Sequence, residues 1–356
     1  MRDDSQEPLG QYTTLGLGGP AQRVVEANTA DEIVETVRNA DSAGDPLLIL
    51  AGGSNVVIAD DGFAGTVLLL RAGAEALRFG RGGDRVAVTV PAGMVWDTVV
   101  AACVAQGWSG IECLSGIPGS AGATPIQTVG AYGQEVSQTI VEVVVYDRAT
   151  GEQIALPADE CGFAYRTSMF KGVARWVVLS VSFVLRTGGD SAPIRYAELA
   201  RTLGLAAGDT APVNVVRDAV LDLRRGKGML LDPTDPDTRS VGSFFTNPVL
   251  PNAAAYEALL SRCRAEFGAD TAVPSWPGDD GTTKVSAAWL IDHAGFPKGY
   301  RHGRAAISSK HTLALTNASG TTTSELLDLA REIRDTVAKT FDIELHPEPV
   351  LVGVEF

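Results

Sequence analysis

The chain has 356 residues, 45% hydrophobic and 20% charged, with a formal net charge of −14. At about 100–200 residues per domain that is room for two or three domains with a sizeable core, and so acidic a surface repels nucleic acid and anionic membrane. No apolar run approaches the about 18 residues of a membrane span, and the polar start Met1-Arg-Asp-Asp has no signal-peptide core, so the expectation is a cytoplasmic protein without nucleic-acid or membrane partners.

In chain order, residues 21–27 (Ala-Gln-Arg-Val-Val-Glu-Ala) read as a strand. Thr29 and Glu32 then form a capping box, each able to satisfy a free N–H at the start of a helix that faces Ile33, Val34 and Val37 inward. Residues 46–51 form a buried strand ending in the turn Gly52-Gly53-Ser54-Asn55, with further strands at 56–59 and 66–70. A strand at 85–90 precedes a helix from about Val95 to Gln106. Residues 139–146 and 176–185 are β-branched strands, the second alternating strongly enough to be central. They bracket Phe163-Ala-Tyr165-Arg166-Thr-Ser-Met-Phe-Lys171.

Residues 188–193 look like a linker. An amphipathic helix at 211–225 ends in Arg224-Arg225-Gly226-Lys227, either a charge-complemented helix end or an anion clamp. Beyond the polar loop 232–240 lies Val241-Gly-Ser243-Phe-Phe-Thr-Asn247-Pro248. Helices near 253–267, 285–293 and 323–341 alternate with short strands at 305–307 and 313–316, and 343–345 and 350–356 read as closing strands. The fold class expected is α+β.

The stretch from Gly110 to Val136 organises the rest. Gly110, Gly116, Gly119, Gly122, Gly130 and Gly133, with Pro118 and Pro125, exclude regular helix or strand. Ile111, Leu114, Ile117, Ile126, Val129 and Tyr132 can anchor it to a core. A tight backbone with bare N–H groups suits an anionic ligand, although neither common nucleotide fingerprint is present. The turn at Gly52–Asn55 is a plain turn or a second pyrophosphate cradle.

Arg166 lies between two core strands, where an unpaired guanidinium is costly. It either pairs with a carboxylate or stabilises developing negative charge. Ser243 beside Phe244-Phe245 reads as a water-excluded hydroxyl on a strand. Glu348, between Pro347 and Pro349, is held by its fixed backbone neighbours, as an edge device or a preorganised group. Cys103, Cys113, Cys161 and Cys263 show no Cys-x-x-Cys and read as reduced. His293, His302, His311 and His346 lack i, i+4 spacing, so no metal site is expected.

Together these motifs resemble, in order and over nearly the whole chain, the UDP-N-acetylenolpyruvoylglucosamine reductases, flavin enzymes of bacterial peptidoglycan synthesis. The residues carrying the resemblance are Gly52–Asn55, Ser115–Gly133, Tyr165–Lys171, Gly242–Asn247 and Pro347-Glu348. It implies an FAD-binding module of the vanillyl-alcohol-oxidase (PCMH) type in two subdomains, 1–72 and 73–187. A substrate-binding domain follows at 188–342, and strands at 343–356 return to the first subdomain. FAD would be held by Gly52, Gly53, Ser54, Asn55, Gly119, Ser120, Gly122, Ala123, Thr124, Gly130, Ala131, Tyr132 and Gly133, non-covalently, since no His lies in the first two subdomains.

The same resemblance implies catalysis by Arg166, Ser243 and Glu348, with NADPH as reductant and UDP-N-acetylenolpyruvoylglucosamine as substrate. Arg166 and Glu348 would stabilise an enolate-like intermediate and Ser243 would protonate it. Tyr165, Tyr196, Arg224, Lys227, Asn247, Lys284 and His311 would bind substrate, Tyr196 from a mobile loop. Thr128 stands where the usual loop has Asn, and Trp276 where some relatives have Tyr. The protein is expected to be a monomer. The alternatives are an oxidase on the same flavin module and a nucleotide-sugar sensor without turnover.

Overall fold

The computed structural model of the chain describes residues 7–278 and 281–356, so the first six positions of the polar start lie outside the described residues. In chain order the elements run β1 (Ala21–Ala27), α1 (Ala30–Ala43), β2 (Leu47–Leu50), β3 (Val56–Ile58), β4 (Phe63–Leu70), β5 (Arg78–Gly82), β6 (Arg85–Pro91) and α2 (Trp96–Ala105). The Gly-rich stretch holds α3 (Ala123–Gln127) and a hairpin of β7 (Gly130–Ala131) and β8 (Gln134–Glu135). Then come β9 (Ile140–Asp147), β10 (Glu152–Pro157), β11 (Trp176–Arg186), α4 (Ala197–Leu203) and α5 (Val213–Gly226). The last third adds β12 (Val249–Leu250), α6 (Ala253–Phe267), β13 (Ser275–Pro277), β14 (Thr283–Val285) and α7 (Ala287–His293). It closes with β15 (Arg301–His302), β16 (Ala305–Ile307), β17 (Leu315–Thr316), α8 (Thr323–Phe341) and β18 (Val350–Val352). The fold is mixed α and β, as expected.

Two compact units emerge, one of Pro20–Gly53 and Phe63–Leu231, the other of Leu9–Gly19, Ser54–Gly62 and Asp232–Phe356. In the first, β1, β4 and β2 form a parallel sheet. α1 packs on it through Ile33, Val34 and Val37, and its capping box is formed as read from Thr29 and Glu32. An antiparallel sheet in the order β10-β9-β11-β6-β5 places β11 at its centre. Val181, Phe183 and Leu185 of that strand are buried, and so are Val86, Val88 and Val90 of β6. Each such side chain contributes on the order of 1.5–3 kcal/mol on removal from water. Trp96, also buried, donates its indole N–H to the Leu114 carbonyl at 3.2 Å, which ties α2 to the Gly-rich stretch. The two edge strands, β5 and β10, were not anticipated.

In the second unit β3 and β18 pair in parallel, Val56 opposite Val350. α8 starts at a capping box of Thr322 and Glu325. Asp60 adds acceptors for the N–H groups of Thr323 (2.7 Å) and Ser324 (3.0 Å). Its Leu326, Ala330, Ile333 and Val337 share a core with Phe244, Phe245, Leu260 and Leu290. Two expectations are corrected here. Residues 343–345 form no strand: Asp342 ends α8 in the left-handed conformation, and Leu345 is buried as a single apolar anchor before Pro347. The helix expected from Val285 starts at Ala287, because Val285 pairs with Ser275 in a sheet and Ser286 caps the helix through Trp289 N–H.

Candidate active site

The Gly-rich stretch is fixed at close quarters. Trp96 N–H donates to the Gly119 carbonyl at 3.0 Å, and Val95 bridges Ser120. A Cβ at Gly52 would lie 2.5 Å from the Gly119 Cα, and one at Gly122 would lie 2.5 Å from the Ala92 Cβ. Only a residue without a side chain fits at either place. Thr128 (φ 44°) and Tyr132 (φ 49°) occupy left-handed backbone conformations that few non-glycine residues adopt.

The expectation of bare amides is corrected for part of this stretch. The N–H groups of Ala121, Gly122, Ala123 and Thr124 donate to the carbonyls of Met94, Ala92, Ser120 and Ala121, because buried backbone donors must be paired. Three side-chain oxygens of the stretch, Glu112 Oε1, Ser120 Oγ and Gln127 Oε1, are shielded from solvent and have no hydrogen-bond partner. A buried, unsatisfied polar atom costs about 1–3 kcal/mol unless something completes it. Close-packed glycines and orphaned polar atoms on one stretch suit a large polar cofactor. Gln127 was not singled out in the sequence, since an amide side chain there carries no pattern of its own.

Arg166 sits in a two-residue turn in which Ala164 and Thr167 exchange backbone hydrogen bonds, both 3.1 Å long. Its own φ is 53°. Nη1 donates to the Thr128 carbonyl at 3.0 Å and Nη2 to the Gly130 carbonyl at 3.1 Å, so the Gly-rich stretch aims the guanidinium. The Thr128 hydroxyl donates to the Thr167 carbonyl at 2.6 Å, locking the same turn. Arg166 also lies 5.5 Å from the centroid of the Tyr165 ring.

At the end of α5 the same unit collects cations. Arg224 Nη2 donates to the Met229 carbonyl at 2.7 Å, while its shielded Nε has no hydrogen-bond partner. Burial pulls its pKa below the ordinary arginine value. Lys227 pairs with Glu198 at 2.5 Å and lies 5.6 Å from the centroid of Tyr132. The Tyr132 ring meets Tyr196 edge-on at 5.4 Å, and burial pushes its phenol up to about 12. Tyr196 is the N-cap residue immediately before α4. Nearby, Asp97 accepts from Arg217 (2.6 and 2.8 Å) and from Gly116 N–H (2.6 Å).

The second unit brings Ser243 and Glu348 to one place. Glu348 N–H donates to the Phe244 carbonyl at 2.8 Å, and Thr246 N–H to His346 at 3.1 Å. Phe245 bridges Pro347 between them. Asn55 joins this pairing: its carbonyl accepts from Val350 N–H at 3.0 Å, and its Nδ2 reaches the Glu348 carbonyl at 3.4 Å. Ser243 is half-buried rather than water-excluded, and its segment is irregular rather than a strand. Phe244 and Phe245 accordingly do not alternate; both are buried, with ring centroids 5.1 Å apart.

Asn247 accepts the Ala287 N–H at 2.9 Å, and His311 Nδ1 accepts the Leu313 N–H at 3.1 Å. Lys284 pairs with Trp276 across β13 and β14, and Trp276 is exposed. Among the described residues no group of His, Cys, Asp or Glu is arranged to hold a metal ion, and no helix is long and apolar enough to cross a membrane.

A model of the FAD binding domain matches residues 21–156, and a model of the UDP-N-acetylenolpyruvoylglucosamine reductase C-terminal domain matches residues 232–352. The flavin module expected from the motifs is thereby shown. The UDP-N-acetylenolpyruvoylglucosamine reductase of Thermobifida fusca is 58% identical over 348 residues, 98% of this chain and 97% of that protein. That of Salinispora arenicola is 58% identical over 357 residues, covering 99% and 96%. The crystal structure of the UDP-N-acetylenolpyruvylglucosamine reductase from Thermus caldophilus shares the fold, with a TM-score of 0.66 at 24% identity and 99% of each chain covered. With such identity along nearly its whole length, the chain belongs to the UDP-N-acetylenolpyruvoylglucosamine reductase family.

Proposed function

We propose that the protein is an FAD-dependent reductase that uses NADPH to reduce the enolpyruvyl group of UDP-N-acetylenolpyruvoylglucosamine, giving UDP-N-acetylmuramate for peptidoglycan. The observation that carries the reading is the backbone pairing of Glu348 with Phe244, which seats a carboxylate-bearing and an alcohol-bearing segment side by side in a chain of this family. The oxidase alternative is not favoured, since the relatives that match along the whole chain carry the reductase name.

When bound, FAD supplies the hydride, taken from NADPH and delivered to the terminal carbon of the substrate's double bond. The chain's residues handle the charge that results. Electron density moves onto the neighbouring carbon and its carboxylate, an enolate-like species that needs fixed donors and positive charge. Arg166 suits this role because two carbonyls of the Gly-rich stretch hold its guanidinium in place before reaction. Glu348 would share the stabilisation, and Ser243 would give its proton to carbon. A serine hydroxyl is a weak acid, so the step requires a strongly basic partner held close.

Gly52, Gly53, Ser54 and Asn55 would hold FAD together with Gly119, Ser120, Gly122, Ala123, Thr124, Gly130, Ala131, Tyr132 and Gly133. Non-covalent attachment is the reading because no His lies in the first two subdomains. Tyr165, Tyr196, Arg224, Lys227, Asn247, Lys284 and His311 would bind the nucleotide sugar. Subdomains at 1–72 and 73–187 and a substrate domain at 188–342 complete the reading, and the β3–β18 pairing supports the return of 343–356 to the start of the fold. We take the protein to be a cytoplasmic monomer. The test is the absorption spectrum of the purified protein: it should be yellow, bleach with NADPH under anaerobic conditions, and recover colour on adding the enolpyruvyl substrate. Recovery with oxygen but not with that substrate overturns the reading.

A further inference from the structure

Lys227 is not idle. Its ammonium lies 2.5 Å from a carboxylate oxygen of Glu198 in α4, and both side chains are about one-third exposed (31% and 33%). The pair sits where α5 ends, beside the Tyr132–Tyr196 contact. Three cations, Arg217, Arg224 and Lys227, face two carboxylates here, because Asp97 already holds Arg217 through two bonds. The cluster's net charge is therefore one positive, too little for a diphosphate, which carries at least two negative charges. Arg224 is committed to the Met229 carbonyl, and its Nε is shielded. Within this cluster, the Lys227 ammonium becomes available only if Glu198 lets go.

We propose that Glu198 is an internal competitor for Lys227, exchanged for the ligand's diphosphate when a nucleoside diphosphate binds. The inference rests on the reading above that Lys227 meets the diphosphate. Because Glu198 lies in the first turn of α4, two residues after Tyr196, the exchange also loosens the tie between that segment and the end of α5. Glu198 thus sets how much affinity the ligand retains after displacing it. A partly exposed pair of this kind is weak, so the exchange is readily made.

The experiment is titration of the flavin-loaded protein with UDP, followed by perturbation of flavin absorbance. Glu198→Gln should bind UDP about two- to five-fold more tightly, the scale of one exposed ion pair. Lys227→Met should bind it more weakly, and Glu198→Gln added to Lys227→Met should change nothing further. A merely structural effect of Glu198→Gln would appear in both backgrounds, and that result overturns the proposal. So does a Glu198→Gln variant that binds UDP no more tightly than the parent while Lys227→Met weakens binding. If Lys227→Met binds as the parent does, the assignment of Lys227 to the diphosphate falls, and the competitor role falls with it.

Discussion

Glu348 donates its backbone N–H to the carbonyl oxygen of Phe244 at 2.8 Å, although almost a third of the chain separates the two residues. The bond is one rung of a short antiparallel pairing between 244–246 and 346–348. Ser243 precedes one end of it and Glu348 closes the same end.

Ser243→Ala is expected to leave reduction of the flavin by NADPH intact. Re-oxidation by the enolpyruvyl substrate should slow by at least about 10²-fold, the range for loss of a positioned proton donor. Stopped-flow measurement of the two half-reactions separates them, and equal losses in both would refute the assignment.

Arg166→Lys should retain the charge and still fail. One ammonium cannot reproduce a planar fork that donates to Thr128 and Gly130 at once. A drop in kcat of about 10²-fold or more is the expectation. Near-normal turnover would count against a role in stabilising negative charge.

Gly52→Ala tests the close approach of two glycine turns. The new methyl would meet the Gly119 Cα at 2.5 Å, so one strand of backbone must shift. Overpacking of this kind costs about 1–3 kcal/mol. The purified variant should carry less flavin, read as the ratio of visible to ultraviolet absorbance, and should lose it at lower temperature.

Asp97→Asn probes the support of the same stretch. Burial by itself would raise the Asp97 carboxyl, but the hydrogen bond from Arg217, that from Gly116 N–H and the charge of Arg224 hold it below its ordinary value. Its contribution to stability is complete above the unfolded-state pKa of about 3.9 and disappears as pH falls through the lowered folded value. Thermal melts between pH 7 and pH 3 should show this acid-side loss in the parent and a shallower one in Asp97→Asn. At pH 7 the variant should melt about 2–4 °C lower.

How far the fold was legible depended on whether the signal was local. α1 came out as read because Thr29, Glu32 and the Ile33–Val37 stripe all act within one or two turns. β11 was placed at the sheet centre because its β-branched run is long enough to speak for itself. β5 and β10 were missed. Arg78-Phe-Gly-Arg-Gly82 and Glu152–Pro157 have weak strand character, and they are strands because β6 and β9 supply the hydrogen bonds. Among the candidate site residues, the glycines of 110–133 stood out by their density in one stretch. Gln127 and Glu198 did not, since an amide in a loop and an acid on a helix look like surface until a partner is seen.

By itself, the order of residues along the chain marked out the Gly-rich stretch and carried the resemblance that implied the flavin module and the family, because ordered motifs depend only on residue type and position. The folded structure alone decided which groups meet: that Glu198 holds Lys227, that two carbonyls of the Gly-rich stretch aim Arg166, and that Ser243 is half-open to solvent. Hydrogen-bond partners and burial are properties of chain segments brought together from far apart. Local propensity carries no record of them.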